Sequence, residues 1–95
     1  MNYLMSPKDF EEKAELLKAL AHPIRLCIIR GLIKNSSANV SQICNCLKTP
    51  QSTISQHLIK LKNAGIVEGE RNKNEIIYKI KDNRIIDIIK VLFDF

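Results

Sequence analysis

Asn39-Val40-Ser41-Gln42-Ile43-Cys44-Asn45-Cys46-Leu47-Lys48-Thr49-Pro50-Gln51-Ser52-Thr53-Ile54-Ser55-Gln56-His57-Leu58 is the stretch on which the fold turns. Asn39 followed three residues later by Gln42 reads as a capping box, each side chain able to satisfy the other's backbone N–H. The helix it opens is short, burying Ile43 and Leu47 before Lys48-Thr49-Pro50 stops it. Pro50 leads into a longer helix through Ala64, ended by Gly65 where a left-handed residue is wanted. On a wheel of about 100° per residue, Ile54, Leu58 and Leu61 fall together and define a buried face. Ser52, Ser55, Gln56 and Ile59 occupy the opposite arc. Two helices joined by a three-residue turn, the second opening with Gln51-Ser52-Thr53, make a helix-turn-helix unit.

The flanking sequence extends this unit in both directions. Downstream, residues 66–71 and 75–80 read as short strands separated by Asn72-Lys73-Asn74, where asparagine's tolerance of positive φ allows a turn without glycine. A helix-turn-helix followed by a two-stranded ribbon at 67–80 is the winged-helix arrangement, with Arg71 and Lys73 at the wing tip. Upstream, Ser6-Pro7 opens a first helix over about 7–21, with Asp9 in its first turn and Phe10, Ala14 and Leu17 recurring on one face. His22-Pro23 breaks it and starts a second helix to about Lys34. A last helix, about 83–95, is apolar nearly all round, with Ile85, Ile88, Ile89 and Leu92 among its residues. Such a helix needs burial on more than one side, which a two-fold dimer packing the first and last helices against their symmetry mates supplies. The expected architecture is mainly α with a small β-hairpin, in the order ααααββα, and dimeric.

Composition bounds what such a domain does. The 95 residues form a single domain, 1–95, with its core at 10–81. Lys and Arg number 15 against 10 Asp and Glu, a net charge of +5. Residues 1–39 hold +2 of it, residues 40–81 hold +4, and residues 82–95 hold −1. A basic centre with nearly neutral ends suits a surface that meets a polyanion. An exposed Ser and Gln arc near a helix N-terminus is what major-groove readout needs, since glutamine pairs bidentately with adenine and serine adapts to several base edges. No apolar run reaches the roughly 20 residues of a membrane span. The opening MNYLMSPKDFEEK carries acids where an export signal would be apolar, so a cytoplasmic protein is expected. Three cysteines, an odd number, argue for a reducing compartment. With no Ser/His/Asp arrangement, no paired acids in a cleft and only three glycines, an enzyme is not expected.

Three motifs carry a resemblance to a known family. Leu17-Lys18-Ala19-Leu20-Ala21-His22-Pro23-Ile24-Arg25-Leu26, Gln51-Ser52-Thr53-Ile54-Ser55-Gln56-His57-Leu58 and Asn63-Ala64-Gly65-Ile66-Val67 resemble, in order, the motifs of the ArsR/SmtB transcriptional regulators, and Tyr78-Lys79-Ile80 closes the wing in similar style. The likeness covers about residues 10–81. It implies a homodimeric winged-helix repressor of a pseudo-palindromic operator, with double-stranded DNA as partner and recognition helix 51–64. By resemblance the base-reading positions are Gln51, Ser52, Ser55 and Gln56, with Val40 at the start of the preceding helix; Thr53 lies beside them, and His57 and Lys60 are phosphate or packing positions. The competing reading is a winged-helix protein–protein module without DNA binding, which would carry an apolar or acidic arc instead of Ser and Gln.

Relatives in that family commonly respond to metal ions or to cysteine oxidation, and here the sensor positions are displaced. The family's Cys-x-Cys pair would fall on Asn39 and Ser41. Cys44 and Cys46 lie five residues further on, about 200° apart on a helix, and cannot share one metal or one disulfide unless the helix unwinds. The last helix offers Asp82, Asp87 and Asp94 but no histidine, a poor set for zinc. No metal, cofactor or evident inducer is therefore expected. Cys27 with Cys44 or Cys46 remains a candidate thiol switch, set against three ordinary packing thiols; operator affinity that does not change on mild oxidation excludes the switch.

Overall fold

Among the described residues, four of the five helices begin where the sequence supplies a side-chain cap; the helix Gln51–Asn63 instead follows Pro50. A computed structural model describes residues 6–94; the expectations that touch residues 1–5 and Phe95 lie outside it. Helix α1 (Pro7–Leu20) starts with the Asp9 carboxylate accepting from the Ser6 N–H at 3.1 Å and from its hydroxyl at 3.0 Å. Helix α2 (Pro23–Asn35) is capped by His22, whose Nδ1 accepts from the Ile24 N–H at 3.1 Å. Strand β1 (Ala38–Asn39) runs directly into α3 (Val40–Leu47), where Asn39 Oδ1 accepts from the Gln42 N–H at 2.8 Å and Gln42 Oε1 from the Asn39 N–H at 2.9 Å. Helix α4 (Gln51–Asn63) follows the turn and closes on Gly65 at φ +74°. Strands β2 (Val67–Asn72) and β3 (Glu75–Ile80) form the wing. Helix α5 (Asn83–Phe93) is capped by Asp82, which accepts from the Arg84 N–H and pairs bidentately with its guanidinium.

The sheet has three strands, not two, in the order β1-β3-β2, all antiparallel. Ala38 pairs with Tyr78 and Asn39 with Ile77, so the connection from α2 to α3 ends in a short edge strand that the sequence reading did not include. Two residues carry no periodicity for a sequence reading to detect. One core joins all the layers: Leu20, Ile28, Ile29, Leu32, Ile43 and Ile54 pack with Leu58, Leu61, Ile66, Val67, Ile85 and Ile89. No aromatic residue belongs to it, and at about 1.5–3 kcal/mol per buried aliphatic side chain it is the main source of stability. Among the described residues no helix is long and apolar enough to cross a membrane.

Helix α5 corrects one expectation. Ile85 and Ile89, assigned by pattern to a dimer interface, are 0% exposed within their own chain. They stand four apart on the face that α5 turns to its own core, and Ile88 packs beside them half-buried. The face turned outward carries Val91, Leu92 and Phe93, while α1 exposes Phe10, Ala14 and Leu17. The all-round apolar character of α5 thus divides between an inner stripe and an exposed one.

The wing depends on two special residues. Its turn is two residues long, since Asn72 pairs with Glu75, and Lys73 takes φ +62° where asparagine was the expected bearer. Gly69 faces Tyr78 across the ladder, and a Cβ there would stand 2.8 Å from Ile76 Cγ2 and 3.0 Å from Tyr78 Cε1. Alanine for glycine in a strand ordinarily helps; Gly69→Ala is expected to reverse the sign and cost about 1 kcal/mol or more by crowding the Tyr78 ring. Lys73→Gly is expected to stabilise by about 1 kcal/mol through relief of the left-handed backbone. Urea unfolding of the two variants checks both signs.

Candidate nucleic-acid interface

The second helix of the motif is held by its back so that its front stays open. Ile54, Leu58 and Leu61 are 1% exposed or less. Gln51, Ser52 and Gln56 stand exposed on the other side, with Thr53 and Ser55 half-buried at the margin. The turn before them is fixed by Lys48 at φ +51° and by the Thr49 hydroxyl, which donates to the Leu47 carbonyl at 3.1 Å. Pro50 then accepts from the N–H groups of Thr53 and Ile54, both at 3.1 Å. Helix α4 has neither a side-chain cap nor an acidic residue in its first turn, so the positive end of its dipole is left to attract an anion, whereas α3 is closed by its capping box. Val40, at the first position of α3, is half-buried and packs against the core.

Helix α3 and the wing are tied together. The Asn39 side-chain amide donates to Glu75 Oε2 at 2.7 Å, linking the cap of α3 to the start of β3. Lys79 and Glu68 form an exposed cross-strand pair at 3.4 Å. Arg71 and Lys73 project exposed from the wing tip. The wing as a whole is charge-balanced, with Glu68, Glu70 and Glu75 against Arg71, Lys73 and Lys79. The positive excess of residues 40–81 therefore resides on Lys48, Lys60, Lys62 and Lys81, at the turn, on the second half of α4 and just beyond β3. Sequence reasoning assigned that excess to the motif and wing together.

His57 differs from its neighbours on the recognition helix. Its ring lies 4.4 Å from that of His22, and its Nδ1 stands 3.4 Å from Arg25 Nη1. Arg25 in turn donates from Nε to the Ala19 carbonyl at 2.7 Å, pinning the α1–α2 junction. Of the two roles its motif position implied, phosphate contact or packing, the geometry shows packing. Burial, followed by repulsion from His22, Arg25 and Lys60, holds the His57 pKa below its ordinary 6.5. Arg25 sits inside a quoted motif, yet its role as the link between junction and recognition helix was not read from the sequence, because the pairing spans 32 positions. Lys60 is exposed one turn from His57.

Cys27 and Cys46 are exposed and Cys44 is half-buried against the core; all three are free thiols. Among the described residues no group of three or more His, Cys, Asp or Glu is placed to hold a metal ion.

The model for bacterial regulatory proteins of the arsR family matches residues 22–69, from the His22 junction through the motif to the first strand of the wing. This chain is an ArsR-family protein. It is 46% identical over 84 residues to the transcriptional repressor PagR of Bacillus anthracis, spanning 88% of this chain and 84% of that one. The crystal structure of PagR superposes with a TM-score of 0.83 at 44% identity, covering 92% of this chain and 99% of PagR. An HTH-type transcriptional regulator of Methanocaldococcus jannaschii is 43% identical over 85 residues, 90% of this chain and 96% of its own length. The structure of HlyU from Vibrio cholerae matches with a TM-score of 0.85 at 29% identity, over 92% of this chain and 94% of HlyU. The ArsR-family role is DNA-binding transcriptional regulation, not catalysis.

His57 gives this ArsR-family chain a defined acid response. A histidine kept neutral in the fold contributes stability that is fully present above pH 6.5 and lost as pH falls through its folded value, because the unfolded chain takes up the proton first. Thermal melts between about pH 7.5 and pH 5 are expected to show a smaller loss of Tm for His57→Gln than for the unsubstituted protein; equal losses would remove His57 as the cause.

Proposed function

We propose that the chain is a cytoplasmic repressor, a single DNA-binding domain over its whole length, that binds a pseudo-palindromic operator as a two-fold homodimer. Helix α4 lies in the major groove, where Gln51, Ser52, Ser55 and Gln56 read base edges and Thr53 flanks them. Val40 stands with them at the start of α3, and Lys60 and the uncapped N-terminal end of α4 meet phosphates. Arg71 and Lys73 carry the wing to the flanking backbone or minor groove.

The observation that carries this reading is the arc of α4 backed by three fully buried aliphatics, where Ser52, Ser55 and Gln56 are joined by one exposed apolar residue, Ile59, and no carboxylate. A protein-docking surface in the same place would present apolar or acidic groups. The names of PagR and other relatives as repressors support the sign of regulation. Dimerisation is supported by the apolar side chains left outward on the terminal helices, with Leu17 53% and Leu92 63% exposed. A second copy that covers Phe10, Ala14, Leu17, Ile88 and Leu92 would remove that surface from water.

Fluorescence anisotropy on duplex from the protein's own upstream region, against a scrambled duplex, tests the assignment. Gln56→Ala is expected to reduce discrimination by about tenfold, the value of one good side chain–base contact, while leaving scrambled-DNA affinity nearly unchanged. Lys73→Gly, which does not weaken the fold, is expected to weaken both duplexes and lower the salt slope by about one per protomer. Leu92→Asp is expected to yield monomers by sedimentation and to abolish protection of paired half-sites. Binding that is insensitive to both salt and sequence would defeat the repressor reading.

A further inference from the structure

Between α2 and α3 lies an open cavity of about 520 Å3, within the size range of small-molecule sites. One wall is a stripe of α2, Cys27, Gly31 and Asn35, spaced four apart and so stacked on one helix face. The facing wall is Gln42 and Cys46 of α3, also four apart. Ile28, Leu32 and Ile43 form an apolar floor continuous with the core. No lining residue carries a carboxylate, ammonium or guanidinium, in a chain that is 26% charged. The hollow between α1 and α4 shows the contrast, lined by Glu11, Glu15, Lys18, Lys60 and Arg84.

Gly31 is an independent sign of a site. Glycine inside a helix costs about 1 kcal/mol relative to alanine. The backbone does not call for it here: Gly31 has no positive φ, and a Cβ would meet nothing within 4 Å. What the missing side chain provides is depth in the cavity.

We propose that this cavity binds an uncharged, mainly apolar small molecule of up to three rings, seated over Gly31 between the amides of Asn35 and Gln42, with the thiols of Cys27 and Cys46 at its rim. Gln42 Oε1 is held by the Asn39 N–H and one Asn35 amide N–H by the Gly31 carbonyl, which leaves Gln42 Nε2 to donate and Asn35 Oδ1 to accept, suiting carbonyl or hydroxyl groups on the ligand's edge. The neutral lining leaves an ionic ligand without a counter-charge, so a charged molecule would lose hydration without recompense. Leu47 also lines the cavity and adjoins the Lys48-Thr49-Pro50 turn, so an occupant that parts α3 from α2 shifts the seat of α4. That last consequence rests on the DNA-binding reading; the binding itself does not.

The test uses the full-length protein without DNA, so its outcome is independent of any operator. N-Phenyl-1-naphthylamine, an uncharged three-ring probe that brightens in apolar surroundings, is expected to bind saturably at one per protomer. Gly31→Leu, which fills the cavity with a better helix former, is expected to weaken that binding about tenfold or more while raising Tm. Gly31→Ala, too small to fill it, retains binding. The bound probe is expected to slow maleimide labelling of Cys27 and Cys46 about fivefold or more, with Cys44, which does not line the cavity, unaffected. 8-Anilinonaphthalene-1-sulfonate, the same rings bearing an anion, should show Gly31-dependent binding about tenfold weaker. Absence of saturable binding, or binding indifferent to Gly31→Leu, overturns the site; equal binding of the sulfonate overturns the ligand class.

Discussion

The burial of Ile54, Leu58 and Leu61 is the constraint from which the rest of the molecule follows. These three side chains lock the rotation of α4 about its axis. Any other angle would place serine or glutamine in a core that contains only aliphatic groups, at the cost of desolvating polar atoms without partners. With the rotation set, the polar arc has one direction to face. The remaining elements serve that seating: α2 and α3 supply its floor, and Ile66 and Val67 lead straight from the same core into the wing. A small aliphatic core of this kind has little surplus, so the orientation of the reading face and the stability of the fold are one property.

Features encoded over a few neighbouring residues were legible in the sequence. The capping box at Asn39 and Gln42, the break at His22-Pro23 and the stop at Gly65 each rest on local backbone chemistry, and each stands where the residues put it. Features that depend on what lies across space were not. Strand β1 exists because β3 offers Tyr78 and Ile77 a second partner, which two residues of sequence cannot announce. Lys73 takes the positive φ because the ladder's register makes it the first residue of a two-residue turn. A composition nearly all apolar, as in α5, carries no periodic minimum from which to tell the inner stripe of Ile85 and Ile89 from the outer one of Val91 and Leu92.

The candidate interface was legible to a similar depth. The Ser and Gln arc follows from helical spacing alone, and the exposure of Gln51, Ser52 and Gln56 agrees with it. His57 was not separable from that arc, because its position near the margin is compatible with either side. Only the approach of His22 and Arg25 from the α1–α2 junction decides where the ring goes. The charge pattern was legible at a finer scale than the one first applied: a count over residues 40–81 finds the excess, and the same count over residues 67–80 alone finds three carboxylates against three basic side chains.

The 2.7 Å bond from the Asn39 amide to Glu75 has a mechanical consequence. Asn39 is at once the last residue of β1, the cap of α3 and the partner of a wing carboxylate, so it acts as a fulcrum shared by strand, helix and hairpin. Tilting the wing away from the helix-turn-helix would break this bond. A strain introduced at the wing tip is felt at the start of α3, and the energies of wing and helix contacts should couple instead of summing, as expected of groups joined in one network. Wing and helix-turn-helix are in that sense a single mechanical unit.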